Sequence, residues 1–214
     1  MKMRHLTPIA LAVAVLSFSQ AAAQDKFGQT VPAALEKKVL EARQMRLPYR
    51  KEVYDPKESA RMLEEVIAVK PDYYRAHFNL GLTYHELDDY EKSTESFDRA
   101  IKIQKEQGID DATLFNTAGW VSLKNGDFRR AELLLKRAET MTKGTNTYTE
   151  GAVHGNLGQL YFLTQRFDEA QRHLTISRDE FGSKESAYYL DLIDKTQKVL
   201  VIQEQQIMKR LKTR

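Results

Sequence analysis

The sequence feature that most restricts the fold of this chain is an internal repeat. Gly119 follows Gly81 by 38 positions, and Gly158 follows Gly119 by 39. The same two shifts align four further columns, which are Tyr90 with Phe128 and Phe167, Ser93 with Ala131 and Ala170, Phe97 with Leu135 and Leu174, and Ala100 with Ala138 and Ser177. Small residues recur where two helices must approach closely, and large residues fill the groove beside them. The shared register of these columns predicts a chain of repeated helix pairs.

The motifs within these repeats resemble the tetratricopeptide repeat (TPR), a helix pair with an aromatic residue, then Leu-Gly, then Tyr, and later Ala and Phe. The matching segments are His77 to Tyr84 followed by Ser93 and Phe97, His154 to Tyr161 followed by Ala170 and Leu174, and, less closely, Phe115 to Ser122 followed by Ala131 and Leu135. Histidine twice stands where the family usually has tryptophan, and Ser122 stands where it has tyrosine. The resemblance implies an all-α fold, a right-handed superhelical array of helix-turn-helix repeats.

The array is expected to occupy residues 56–183, with a partial repeat at 56–73 and repeats near 74–107, 112–145 and 151–183. Pro56 is predicted to be the first residue of a helix, because proline fits the first helical turn. The family period is about 34 residues, so the surplus residues are predicted to form loops around Gly108 and Gly144. Residues 24–55 are expected to hold an N-terminal helix, from Ala34 to Met45, and a linker.

The C-terminal part, residues 184–214, is predicted to be a long helix that ends in a basic tail. Its first half is predicted to cap the array, because a terminal repeat needs a polar outer face. Its second half carries an apolar set, formed by Val199 to Ile202, Ile207 and Leu211. This set favours either continued capping or pairing with a second copy in a homodimer, although three glutamines between its members weaken a heptad seam.

The N-terminus has the three-part pattern of a secretory signal peptide, with basic residues at Lys2 and Arg4, an apolar run from position 6 to 18, and small residues at Ala21 and Ala23. Cleavage is predicted after Ala23, so that residues 1–23 are the signal peptide. The alternative is an uncleaved anchor, but the apolar run has 13 residues, whereas a membrane-spanning helix needs roughly 20. We therefore expect a bacterial periplasmic or secreted protein with no stable membrane insertion after cleavage. The absence of cysteine excludes a lipid-modified N-terminal cysteine.

The sequence predicts no catalytic, cofactor or metal site. It holds no glycine-rich phosphate loop, no cysteine and no His-x-x-x-His spacing. His77 and His154 occupy equivalent repeat positions and are predicted to pack between helices. Carboxylates such as Asp110 and Asp111 lie at expected helix starts, where the helix dipole favours negative charge, so they are predicted to have a structural role. The formal net charge of +3 becomes +1 without the two basic residues of the signal peptide, which leaves no general basic field for nucleic acid.

Recognition is expected on the concave face of the array, which the first helix of each pair lines. By resemblance to the family, that face carries Arg75, Phe78, Asn79, Leu82 and His85 from the first repeat, Asn116, Trp120 and Lys124 from the second, and Asn156, Gln159 and Phe162 from the third. Its three asparagines suit the backbone of an extended peptide, and Phe78, Trp120 and Phe162 suit apolar side chains. The face lacks the basic set with which one family variant clamps a carboxylate, which favours a neutral or mixed segment.

These patterns predict an exported, non-enzymatic scaffold or adaptor that binds another protein or an extended peptide segment, in envelope assembly, secretion or a similar complex. Both an extended peptide and a folded domain are compatible with the predicted face. The alternative hypothesis is a structural protein that associates with itself through its C-terminal helix.

Overall fold

The computed structural model describes residues 22–24 and 29–212 of the 214-residue chain. The predicted signal peptide lies outside these residues except for Ala22 and Ala23. The described elements are β1 (Ala22–Gln24), β2 (Thr30–Pro32), α1 (Ala33–Met45), α2 (Pro56–Val69), α3 (Tyr74–Glu86), α4 (Tyr90–Gln107), α5 (Ala112–Lys124), α6 (Phe128–Thr142), α7 (Tyr148–Leu163), α8 (Phe167–Asp179) and α9 (Lys184–Lys212). The succession of helices confirms the predicted all-α repeat architecture. Within the described part of the chain, none of the helices has the length and apolar character needed to cross a membrane.

The two short strands form an antiparallel ribbon that the sequence analysis did not predict. Ala22 lies opposite Pro32, and Gln24 lies opposite Thr30. Segments of three residues are too short to show the period-two alternation that identifies a strand in a sequence. The predicted cleavage after Ala23 falls inside β1, so cleavage would remove most of this strand from the ribbon.

Side-chain caps explain where many of the helices begin. Six described helices start after a residue whose side-chain oxygen accepts a hydrogen bond from a backbone N–H of the first turn; these residues are Asp55, Asp89, Asp111, Asp127, Thr147 and Ser183. Each cap satisfies a backbone donor that the helix itself leaves without a partner. Pro56 is the first residue of α2, as predicted. Gly108 ends α4 with φ of 66°, the left-handed conformation that glycine adopts at low cost.

The described chain forms two compact units, and each is considered by itself. Unit 1 ends at Leu87, and unit 2 begins at Asp88. In unit 1, helices α1, α2 and α3 pack against one another around buried apolar side chains that include Val39, Leu63 and Val66. The hydroxyl groups of Ser59 and Thr83, 3.1 Å apart, add a buried hydrogen bond between α2 and α3.

In unit 2, α5 packs against α6, α7 packs against α8, and α9 contacts both α7 and α8. The glycine column has the packing role predicted for it. A Cβ atom added to Gly119 would lie 2.8 Å from Leu135 Cγ, and one added to Gly158 would lie 2.4 Å from Leu174 Cγ. Those distances are shorter than carbon atoms tolerate, so glycine permits each helix pair to close. The side chain of Ile193 packs into the apolar core that α5 to α8 form, and so it anchors the first half of α9.

Candidate functional site

A cavity of about 490 Å³ opens in unit 2, beside α7. Its walls come from α5, α7, the C-terminal end of α8, the turn that leads into α9 and the first turn of α9. The lining residues are Trp120, Tyr148, Gly151, Ala152, Gly155, Asn156, Gln159, Ser177, Phe181, Gly182, Ser183, Lys184, Glu185 and Ser186. This volume lies within the roughly 300–1,000 Å³ that is usual for ligand sites in proteins.

Small residues on α7 shape one wall of the cavity. A Cβ atom on Gly151 would lie 2.5 Å from Phe181 Cγ, so the absence of a side chain there lets the turn after α8 approach the helix. A Cβ atom on Gly155 would lie 3.3 Å from Ser177 Oγ and 3.7 Å from Ser186 Oγ. Ser177 is buried and donates a hydrogen bond of 3.0 Å to the carbonyl oxygen of Gly151, which fixes the end of α8 against α7. The wall thus exposes backbone and short side chains to a bound group.

Amide side chains supply the hydrogen-bonding groups of the cavity. Asn156 Nδ2 donates to Asn116 Oδ1 at 2.9 Å, and Gln159 Nε2 donates to Glu185 Oε1 at 3.0 Å. Each amide carries two donor hydrogens and an acceptor oxygen, so Asn156 and Gln159 keep further capacity after these bonds. Trp120 lines the cavity from α5 and is half-buried. Amide groups beside an indole ring suit a ligand that has both peptide groups and apolar side chains.

The charge of the cavity is balanced. Among its lining residues, Lys184 and Glu185 carry charge, one of each sign. Lys124 lies outside the lining, and its Nζ atom is 5.9 Å from the centre of the Trp120 ring. Tyr148, at the start of α7, is 91% exposed and offers an aromatic ring at the surface. The lining therefore favours a neutral ligand over a strongly acidic or basic one.

The structure brings together part of the predicted binding set in unit 2. Trp120, Asn156 and Gln159 line the cavity, and Asn116 is bonded to Asn156. Phe162 has a different environment, because its ring packs 6.0 Å from Phe167 and 5.5 Å from Tyr189, measured between ring centres. Phe162 therefore contributes to the packing of α7 against α8 and α9.

The predicted residues of unit 1 all lie on α3. Arg75 forms an ion pair with Glu36 of α1. Asn79 is buried and donates a hydrogen bond of 2.8 Å to the carbonyl oxygen of Arg75, within its own helix. Phe78 stacks on Tyr74, with 6.3 Å between ring centres. The two remaining members of this set, Leu82 and His85, are half-buried.

Sequence reasoning missed the contribution of the turn between α8 and α9 and of the first turn of α9. Phe181 and the residues from Gly182 to Ser186 form one side of the cavity. A signal for this approach exists in the sequence, since Gly151 and Gly155 are four positions apart and so lie on one face of a helix. A glycine pair of this spacing marks a place where another segment comes close.

A second polar cluster in unit 2 joins residues that are distant in the sequence. His154 Nδ1 of α7 lies 2.9 Å from His173 Nδ1 of α8, and His173 Nδ1 lies 3.7 Å from Glu139 Oε1 of α6. Burial lowers the pKa of both imidazoles, that of His173 to about 4. His77, in the repeat position equivalent to His154, instead bonds through Nε2 to the carbonyl oxygen of Pro71 at 2.9 Å. The predicted packing role thus describes His77, whereas His154 belongs to a cluster of three ionisable groups.

Comparisons with known proteins agree with the repeat architecture. Residues 72–144 match the family model of the tetratricopeptide repeat. The chain is similar to a solved structure of pilF from Pseudomonas aeruginosa, with a TM-score of 0.63 and 15% sequence identity, over 80% of this chain and 74% of that chain. At this identity the likeness shows the fold. A search of curated protein sequences finds no match. The repeat match indicates a protein-interaction scaffold, and no enzyme family is indicated.

Proposed function

We propose that this chain is an exported scaffold that binds an extended, neutral segment of a partner protein in the unit 2 cavity. The observation that carries the proposal is the placement of Trp120, Asn156 and Gln159 around one cavity of about 490 Å³. These three residues come from two successive repeats. The two amide side chains match the backbone of a peptide, and the indole ring matches its apolar side chains.

The backbone of an extended peptide presents N–H and C=O groups that need partners when they leave water. Asn156 and Gln159 can donate to the carbonyl and accept from the N–H of such a segment. Gly155 lines the cavity without a side chain of its own, so the segment can approach the backbone of α7 there. An apolar side chain of the peptide then packs against Trp120, an aromatic anchor of the kind that dominates binding energy at interfaces.

The charges around the cavity support a neutral segment. Lys184 and Glu185 offset each other, and Glu185 is already bonded to Gln159. An acidic tail would meet Lys184 together with a carboxylate of its own sign. Neutral and mixed sequences avoid this repulsion, so we expect them to be preferred.

Export is part of the same proposal, and the predicted leader supports it. Protein recovered from the cell envelope or the medium is expected to begin at Gln24, which N-terminal sequencing would measure. An N-terminus at Met1 in the mature, exported protein would overturn this part of the proposal and leave the binding part intact.

The binding proposal is tested with a displayed library of unstructured peptides, selected on the purified protein. The dissociation constant of a selected peptide is then measured for wild type, Trp120→Ala and Leu133→Ala. Leu133 lies on α6, is 72% exposed and does not line the cavity, so it is the matched control. Loss of a hot-spot side chain costs about 2 kcal/mol or more, so Trp120→Ala is expected to weaken binding by about 30-fold. Equal affinities for all three proteins would contradict the proposal.

A second function, self-association through α9, is favoured by the exposure of its distal half. Seven apolar residues there are between 49% and 62% exposed, namely Val199, Leu200, Val201, Ile202, Ile207, Met208 and Leu211. Pairing with a second copy would bury them. Sedimentation of the full chain against a chain that ends at Lys198 measures this, because self-association predicts a doubled mass for the full chain alone. A monomeric mass for both chains would exclude it.

A further inference from the structure

The cluster around His154 lies on a different face of α7 from the cavity. Successive residues of a helix are about 100° apart, so His154 turns away from its neighbour Gly155. Gly155 faces Ser177 and Ser186, whereas His154 faces α6 and the His173 side of α8. The cluster therefore needs an explanation separate from peptide binding.

We propose that Glu139, His154 and His173 form a zinc-binding site that joins α6, α7 and α8. One ligand atom of each residue lies within 4.8 Å of the ligand atoms of the other two. Two imidazole nitrogens and one carboxylate oxygen are a ligand set that proteins use for zinc, with water in the fourth position. The inference stands apart from the proposed peptide site and does not depend on it.

The distances fit a shared tetrahedral ion. Two ligand atoms that bind the same Zn²⁺ at ordinary bond lengths are about 3.3 Å apart. The separation of His154 Nδ1 and His173 Nδ1, 2.9 Å, is slightly below this value. The separation of His173 Nδ1 and Glu139 Oε1, 3.7 Å, is slightly above it. Small side-chain rotations would bring both pairs to the required separation.

A neighbouring lysine orients the carboxylate. Lys136 Nζ donates to Glu139 Oε2 at 2.6 Å, one turn earlier on α6, and Oε1 is then the atom that faces His173. Carboxylates that bind metals are commonly held by hydrogen bonds of this kind, which fix their orientation. Lys136 thus acts as a positioning residue whose charge is already offset by Glu139.

The surroundings are sheltered and still accessible to water. The side chains of His173 and Glu139 are 13% and 22% exposed. The ring of Tyr161 lies 5.4 Å from the ring of His173, between centres, and shields it on the α7 side. A water ligand can therefore reach the fourth position while the protein ligands stay in place.

A hydrogen bond between His154 and His173 does not account for the close approach of Glu139 to them. It explains the separation of 2.9 Å between the imidazoles, but Glu139 Oε1 is too far from His173 Nδ1 for a hydrogen bond. The equivalent repeat residue His77 shows how a packing histidine is satisfied, by a backbone carbonyl. A cation at the cluster gives Glu139, His154 and His173 a common partner.

The test uses full-length, untagged protein that has been stripped with EDTA and dialysed, titrated with ZnCl₂ by calorimetry. We expect uptake of one Zn²⁺ per chain and a higher melting temperature with zinc. His154→Gln and His173→Gln are each expected to weaken binding beyond the roughly 10- to 100-fold that outer-shell changes cost. His85→Gln is the control, because it removes a half-buried imidazole of α3 that is outside the cluster.

Glu139→Gln keeps the proposal testable if a histidine variant does not fold, as judged by circular dichroism. Its side chain is similar in size, and it is expected to weaken zinc binding by about 10-fold or more. Absorption of bound Co²⁺ in the visible range provides a second measurement, with a four-coordinate spectrum expected for wild type. No zinc uptake by wild type, or the same uptake by wild type and Glu139→Gln, would overturn the proposal.

Discussion

Two faces of helix α7 present different arrangements of polar groups, although they share one backbone. The cavity face presents Gly155, Asn156 and Gln159, whose polar groups are spread along a space of about 490 Å³. A second face presents His154 to two other residues, and one side-chain nitrogen or oxygen atom of each of the three lies within 4.8 Å of those of the others. Spread amide groups suit a chain of peptide units, whereas convergent nitrogen and oxygen atoms suit a single ion. We therefore expect the neighbours of a repeat helix, and not its repeat position alone, to decide what it binds.

The largest expected effect comes from filling the cavity. Gly155→Leu places a branched side chain where the peptide backbone would lie, so we expect the affinity for a selected peptide to fall by more than about 30-fold. Zinc affinity should stay at the wild-type value, because the cluster lies on the other face. Calorimetry with peptide and with ZnCl₂ measures both on one sample. A loss of both affinities in Gly155→Leu would contradict the view that the two faces bind independently.

The next effect concerns how tightly each face is packed. Gly158→Ala adds a Cβ atom 2.4 Å from Leu174 Cγ, whereas Gly155→Ala adds one 3.3 Å from Ser177 Oγ. Overpacking of a closed core costs about 1–3 kcal/mol, so Gly158→Ala should lower the free energy of unfolding by that amount. Gly155→Ala should change it by less than about 1 kcal/mol. Urea denaturation compares the two, and equal losses would show that the cavity face is as closed as the core.

A third effect is a pH dependence of stability in protein kept free of metal by EDTA. Burial lowers the pKa of His173 from 6.5 to about 4, with Lys136, Arg172 and His154 acting in the same direction and Glu139 against it. The unfolded chain therefore binds protons more readily in this range, and stability should fall as the pH drops from 6.5 towards 4. The stability of His173→Gln should fall less over the same range, as measured by melting temperature at several pH values. An identical pH dependence in wild type and variant would contradict the burial argument.

Much of the fold could be predicted because its determinants are local or periodic. The glycine and leucine columns recur at nearly constant spacing, and Asp55 with Pro56 marks a helix start by its own chemistry. The ribbon of β1 and β2 could not be predicted, because a strand of three residues is too short to show the alternation of apolar and polar residues that identifies a strand.

The candidate site could be predicted only in part, because its remaining members meet through tertiary packing. Trp120, Asn156 and Gln159 were identified from their positions in the repeat. Phe181 reaches the cavity only because α8 ends where it does. Glu139 and His173 lie 15 and 19 positions from His154, on other helices, so no motif spacing within one helix connects them.

The central claim is that the unit 2 cavity holds a segment of a partner protein, and photo-crosslinking in living cells tests it most directly. A photoreactive amino acid replaces Tyr148, which is 91% exposed at the edge of the cavity, or Leu133 as the control. Mass spectrometry then identifies the peptides attached. We expect one neutral segment of a partner attached through position 148, absent from position 133 and lost when Gly155→Leu is added. The same adduct from both positions, or an adduct that survives Gly155→Leu, would contradict the claim.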